Sequence, residues 1–233
     1  LAQVGDTVVA RARYLTRNNG YASQAVDSWA ASCVGAGIVP ASLARTARQR
    51  KAIGQAWLDW TDAADAEGLT DWYGMMRRAA REVFVAGEVF LRARPRRPEE
   101  ALAVPLQYQM LPAEMLPLEK TEQLSDGRWI RQGIEFDRIG RRVAYWFHRR
   151  HPNDATDIRA EAELYTRVPA AEVIHVFDPV EAGQIRGISR LAPAIVKLFQ
   201  LDAYNDAELD RKKVAAMFAA FVTMNAGEPE STL

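Results

Sequence analysis

The spacing of apolar residues changes twice along this chain, and that change limits the fold more than any other property of the sequence. From Thr7 to Leu69 apolar positions recur three and four apart. Val26, Trp29, Ala30 and Cys33 share one stripe, and Ile53, Trp57 and Trp60 another. Gly35, Gly37 and Pro40 stop one helix, and Asp71 is a candidate N-cap for another that runs through Tyr73, Met76, Ala80 and Phe84 to Gly87. After Gly87 the spacing becomes alternating. In Glu88–Arg94 the charged Glu88, Arg92 and Arg94 fall on one side of a strand, with Val89, Leu91 and Ala93 on the other.

Residues 104 to 111 offer a second strand. Trp129 to Phe136 is expected to pair with Arg142 to His148 through a turn at Asp137–Gly140, and Val173–Phe177 closes the β-rich stretch. An acidic, weakly patterned loop, 153 to 163, is expected to be mobile. From Ser189 the helical spacing returns and persists to about Val222, with Pro193 in the first turn, giving a rod of roughly 45 to 50 Å. The fold class expected is therefore α+β: a helical region 1–86, a β-rich, wing-like region 87–185, a long stem-like helix 186–223 and a polar tail 224–233.

With 233 residues, 48% of them apolar, the chain can bury a sizeable core. Thirty basic and thirty acidic residues cancel, so no whole-chain field points to nucleic acid, and any electrostatic role must come from local clusters. Cys33 is the one cysteine, which excludes an internal disulfide and suits a reducing compartment. No stretch has the roughly 20 apolar residues that span a bilayer, and no signal segment opens the chain, so an intracellular origin without a membrane is expected. The start at Leu1 and the polar end from Gly227 to Ser231 read as those of a fragment.

Motifs for chemistry are scarce. The sequence has no P-loop, dinucleotide fingerprint or nucleophile elbow, and Gly35-Ala36-Gly37 lacks a third glycine. His148, His151 and Asp154 have loosely ligand-like spacing, but a strand-end and a loop histidine explain them without a metal. His175, between Ile174 and Val176, reads as an edge or half-buried histidine with no motif-marked nucleophile to serve. The pairs Glu161/Glu163 and Asp62/Asp65 read as solvated surface, and Trp29, Trp57, Trp60 and Trp72 as core or subunit contacts. No catalytic, cofactor or metal residue is assigned.

Arginine clusters carry more information: Arg77, Arg78 and Arg81; Arg92, Arg94, Arg96 and Arg97; and Arg141, Arg142, Arg149 and Arg150. Such clusters can meet phosphates. They can equally pair with acids of the 153–163 loop or with Asp202, Asp206, Glu208 and Asp210 of a neighbouring copy, the reading preferred here. On the long helix Leu198, Leu201, Tyr204, Met217, Phe218 and Phe221 are candidate interface residues, because the Val214–Val222 run is apolar on many sides. Arg211, Lys212 and Lys213 form its basic knot, a candidate DNA contact.

Several segments together resemble one family. Arg17–Ala22, Ala25–Asp27, Val34–Ile38, Gly87–Arg92, Gly133–Asp137, Gly140–Tyr145, Val173–Phe177, Gly183–Ser189, Leu191–Pro193 and Leu201–Leu209 are similar, in collinear order, to segments of the lambda-type bacteriophage portal proteins. Asn18, Asn19, Gly87, Glu88, Gly187, Ser189 and Pro193 are the motif positions with a structural part. The resemblance covers about residues 10 to 222 of subunits roughly twice as long, and Gly20 stands where many relatives carry proline.

The resemblance implies a self-assembled, dodecameric ring at the unique vertex of the virion capsid, put together in the host cytoplasm. It further implies a channel for double-stranded DNA, which is held without sequence specificity during packaging and ejection. Terminase, the major capsid or scaffold protein and head-completion proteins would be its partners. A nucleic-acid-processing enzyme and a domesticated phage-derived scaffold stand as the alternatives.

Overall fold

The computed structural model describes residues 4–154 and 164–218, and the chain divides into two compact units between Pro193 and Ala194. The expected acidic loop from 155 onward, Glu161 and Glu163, Phe221 and the tail 224–233 lie outside the described residues.

The first unit opens with α1 (Gly5–Asn18) and α2 (Gly20–Val34), separated by one residue. Asn19 performs both junction tasks: its backbone N–H closes α1 on the Leu15 carbonyl, and its side chain accepts the Ala22 N–H at 2.9 Å to cap α2. Gly35, at φ +56°, ends α2 as the sequence suggested. A capping box between Thr46 and Gln49 starts α3 (Ala47–Asp62). Asp71 starts α4 (Trp72–Val85), accepting the Gly74 N–H at 2.7 Å.

Two antiparallel sheets follow. The first has the order β2 (Leu106–Pro112), β1 (Glu88–Pro95), β8 (Val173–Phe177). The second runs in sequence order: β3 (Glu122–Gln123), β4 (Trp129–Arg131), β5 (Ile134–Phe136), β6 (Arg142–His148) and β7 (Tyr165–Pro169). Val89 and Leu91 pack with Met110 against Met75, Ala79 and Val83 of α4. On the other face Phe90 joins Tyr145, Phe147, Ile134 and Val168 between the sheets. Because β1 is central and covered on both faces, Glu88, on the Phe90 side, is buried with it.

The strand expected over 129–136 is two strands. Gln132 and Gly133, at φ +51° and +80°, make a tight hairpin turn there, and it is β5 that pairs with β6. The Leu116 side chain and the Pro117 carbonyl fill the space where a side chain at 133 would sit. The Asp137–Gly140 turn forms as expected: Asp137 accepts the Ile139 and Arg141 N–H groups, and Gly140 takes φ +85°.

The second unit contains α5 (Ile195–Phe218), 24 residues and so about 36 Å long. It begins six residues later than expected. Pro193 disfavours helical backbone at Ala192, and residues 190–194 form turns instead. Among the described residues no helix is long and apolar enough to cross a membrane.

Candidate functional site

Gly87 ends α4's run into β1 at φ +93°, and Gly187 lies against it with nothing between the two backbones. A Cβ on Gly87 would stand 2.4 Å from Ile188 backbone atoms, and one on Gly187 would stand 2.1 Å from the Gly87 carbonyl oxygen. Only glycine permits so close a crossing. The crossing brings residue 88 to residue 186. Arg186 donates from Nε to Glu88 Oε1 at 2.7 Å, with Nη2 2.5 Å from the same oxygen. Glu88 Oε2 accepts the Gly187 N–H at 2.7 Å and lies 3.0 Å from His175 Nε2.

The remaining guanidinium hydrogens meet main-chain carbonyls: Gln132 at 2.8 Å, Leu116 at 3.0 Å and Ala113 at 3.4 Å. The Glu88 and Arg186 side chains are 3% and 2% exposed. Burial alone would raise the Glu88 carboxyl. The Arg186 charge and the hydrogen bonds from His175 and Arg186 outweigh it, so Glu88 is held below the usual glutamate range. This is a fully satisfied buried ion pair, the condition under which such a pair is tolerated.

His175 stands on the edge strand β8, but its side chain, expected to be at most half-buried, is buried between Phe90 and Phe177, each ring 4.4 Å from its own. Its Nδ1 is buried with no hydrogen-bond partner among the described residues. Burial drives its pKa down, partly offset by Glu88.

Downstream, the Arg190 N–H donates to the Phe84 carbonyl at 3.0 Å, and Ser189 Oγ accepts the Leu191 N–H at 3.2 Å. The Arg190 guanidinium lies 4.5 Å over Trp29 and pairs with Asp178. The segment from Arg186 to Leu191 is thus fixed to the end of α4 and the start of β1. Of the motif positions, Gly87, Glu88, Gly187 and Ser189 meet here, and Pro193 follows. Asn18 and Asn19 belong to the α1–α2 junction, where Asn18 donates to the Tyr14 carbonyl. The parts of Arg186, His175 and Gln132 were not read from the sequence. Their contacts with residue 88 or with each other span 54 to 98 positions, and no local spacing signals them.

Elsewhere several arginines pair with acids. Arg13 clamps Glu82 and Glu114, joining α1 to α4 and to the turn after β2. Arg81 pairs with Asp27, and Arg78 lies 3.7 Å from Asp65. Asp65, read from sequence as solvated, is buried and accepts the Glu67, Leu69 and Thr70 N–H groups. Arg128 and Arg167 hold the buried Glu135, which also accepts the Trp146 Nε1–H at 3.0 Å. The tryptophans pack as expected: Trp57, Trp60 and Trp72 cluster with Tyr108, and Trp60 donates to the Leu106 carbonyl at 2.7 Å.

An open groove of about 1060 Å³ includes Arg13, Arg17, Arg78, His148 and His151 in its lining. His148 lies against Tyr165 with centroids 5.0 Å apart and the rings tilted by 44°, and burial lowers its pKa. Among the described residues no group of three or more His, Cys, Asp or Glu side chains could hold a metal ion.

On α5, Leu198 is half-buried and Leu201, Tyr204, Met217 and Phe218 are exposed, the last three at 65%, 72% and 68%. Arg211 pairs with Glu208 and Lys213 with Asp210, while Lys212 lies 3.9 Å from the same Glu208, so acids of the same helix offset two of the three charges of the basic knot.

The family model described as phage portal protein, lambda family, matches residues 1–232. The chain is also 32% identical over 118 residues to a protein named a probable portal protein of Halomonas phage phiHAP-1. That match covers 51% of this chain and 23% of the relative's length.

Proposed function

Since the chain belongs to the lambda family of phage portal proteins, we propose that it contributes to a homo-oligomeric ring at the capsid vertex, in which α5 is covered by neighbouring copies. The ring encloses a channel that passes double-stranded DNA and offers docking surfaces to terminase, capsid or scaffold and head-completion proteins. The chain works as a seat and conduit, not as an enzyme.

One observation carries this reading: the surface of α5. Ile195 is its one buried residue among those described. Val196, Tyr204, Leu209, Val214, Met217 and Phe218 are each at least half exposed. At 100° per residue Val196, Tyr204, Val214, Met217 and Phe218 fall within one arc of about 140°, with Leu209 outside it, so a broad apolar face of the helix stands uncovered in the single copy and suits burial against a neighbouring one. A heterologous contact of this kind closes into a ring when its rotation fits.

Solution mass and electron microscopy of the purified chain test the proposal. Rings with a central hole are expected, together with loss of assembly and an intact first unit on Phe218→Asp. A monodisperse monomer at high concentration, or rings indifferent to Phe218→Asp, overturns it.

A further inference from the structure

Where β1 leaves the core, its Phe90 side emerges as a row of arginines. Arg92 and Arg94 follow Phe90 at two-residue steps, and Arg96 continues the alternation with its N–H bonded to the Pro105 carbonyl at 2.9 Å. Two of its three arginines keep a buried nitrogen without a hydrogen-bond partner among the described residues, against Arg78 alone in the other two clusters. Arg92 and Arg96 reach Glu172 and Glu100 only at 3.9 and 3.6 Å. The Nε of each is buried with no hydrogen-bond partner among the described residues. Arg94 makes no ion pair among the described residues. Burial and the adjacent Arg94 charge both make Arg92 harder to keep protonated, and Glu172 only partly offsets them. Buried donors without acceptors beside crowded like charges are the condition an anion relieves.

We propose that Arg92, Arg94 and Arg96 form a phosphate-binding rail for the backbone of double-stranded DNA, with Gln109, paired across the strands with Arg92, beside it. Same-side residues of a strand are about 6.6 Å apart, so the rail runs for about 13 Å. A single DNA strand places a phosphate about every 3.4 Å of axis, so the rail spans roughly four phosphates. A row of guanidiniums at that scale recognises charge and backbone, not bases. The basic knot of α5 is the poorer candidate, because Arg211 and Lys213 already pair with Glu208 and Asp210 at 2.6 and 3.0 Å, which leaves only Lys212, 3.9 Å from Glu208, loosely held. The choice of DNA among polyanions rests on the portal reading above.

The test is fluorescence anisotropy of the purified chain on a short duplex of mixed sequence, titrated with sodium chloride. Arg92→Gln/Arg94→Gln/Arg96→Gln should weaken binding for every sequence and reduce the slope of log K against log salt by about 2 to 3, at about 0.9 per phosphate contact. Arg211→Gln/Lys212→Gln/Lys213→Gln should leave the slope nearly unchanged. Arg94→Gln alone breaks no ion pair among the described residues and should lower the slope by about 1, which guards against a misfolded triple variant.

An unchanged slope in both rail variants overturns the rail. So does a wild-type chain that fails to bind DNA at low salt, or a site that inorganic phosphate saturates far better than chloride at equal ionic strength. Loss of assembly without loss of DNA binding would show the row to be a contact for an acidic partner, and also overturns it. Solution mass recorded on the same samples separates failure of the rail from failure of the ring.

Discussion

The carboxylate of Glu88 and the guanidinium of Arg186, 98 positions apart in the chain, meet at 2.5 and 2.7 Å inside the first unit. Their pairing ties the start of β1 to the β4–β5 turn and to the Ala113–Leu116 segment, through the three carbonyls that take the other Arg186 hydrogens. It also fixes the peptide at Gly187, whose N–H has Glu88 as acceptor. One charge pair thus registers four chain segments.

Removing one partner leaves the other charge buried and unpaired. Arg186→Met or Glu88→Leu should each cost about 3 to 5 kcal/mol in urea unfolding, and the double variant should cost much less than the sum of the two. Additive losses would show that the two side chains act independently.

Space, not charge, decides at the neighbouring glycines. Gly87→Ala and Gly187→Ala force a Cβ onto backbone at 2.4 and 2.1 Å, where no side chain can give way, and should each lower stability markedly. Gly54→Ala is the contrast. Gly54 lies within α3 with nothing near its missing Cβ, so that change should stabilise by about 0.5 to 1 kcal/mol. Thermal melts of the three variants check the order, and an undisturbed Gly187→Ala protein would refute the crossing.

Stability should fall as pH drops, in two windows. His175 has a folded pKa below its ordinary 6.5, chiefly through burial, so the unfolded chain binds more protons and stability is lost as pH falls from 6.5 toward the folded value. Glu88, held below its ordinary 4.5, adds a second loss as pH falls through its own lowered value. Unfolding free energies of wild type and His175→Gln, measured across pH, should diverge just below 6.5. Parallel profiles would show that His175 titrates as it does in the unfolded chain.

Local sequence rules went furthest where structure is local. Asp71, Gly35, Gly87 and the Asp137–Gly140 turn act where they were expected to, because caps and turns need only the residues beside them. They went astray where two local rules competed. At 129–136 the alternation of apolar residues hid the Gln132–Gly133 corner. At 189–194 helical spacing outran the restriction that Pro193 imposes on Ala192. Ile53, placed on a buried stripe by its spacing, is exposed, because α3 is held mainly through Trp57, Trp60 and Thr61.

Sequence by itself determined the α+β order of elements, the family and the apolar character of the long helix, since each is written in the spacing and order of neighbouring residues. Tertiary structure alone decided that Glu88 is buried rather than wet, that Arg186 is its partner, and that Arg92, Arg94 and Arg96 lack full partners among the described residues while Arg78 and Arg81 face Asp65 and Asp27. A charge is assigned its role by whatever the fold brings within a few ångströms, and those neighbours lie tens of positions away.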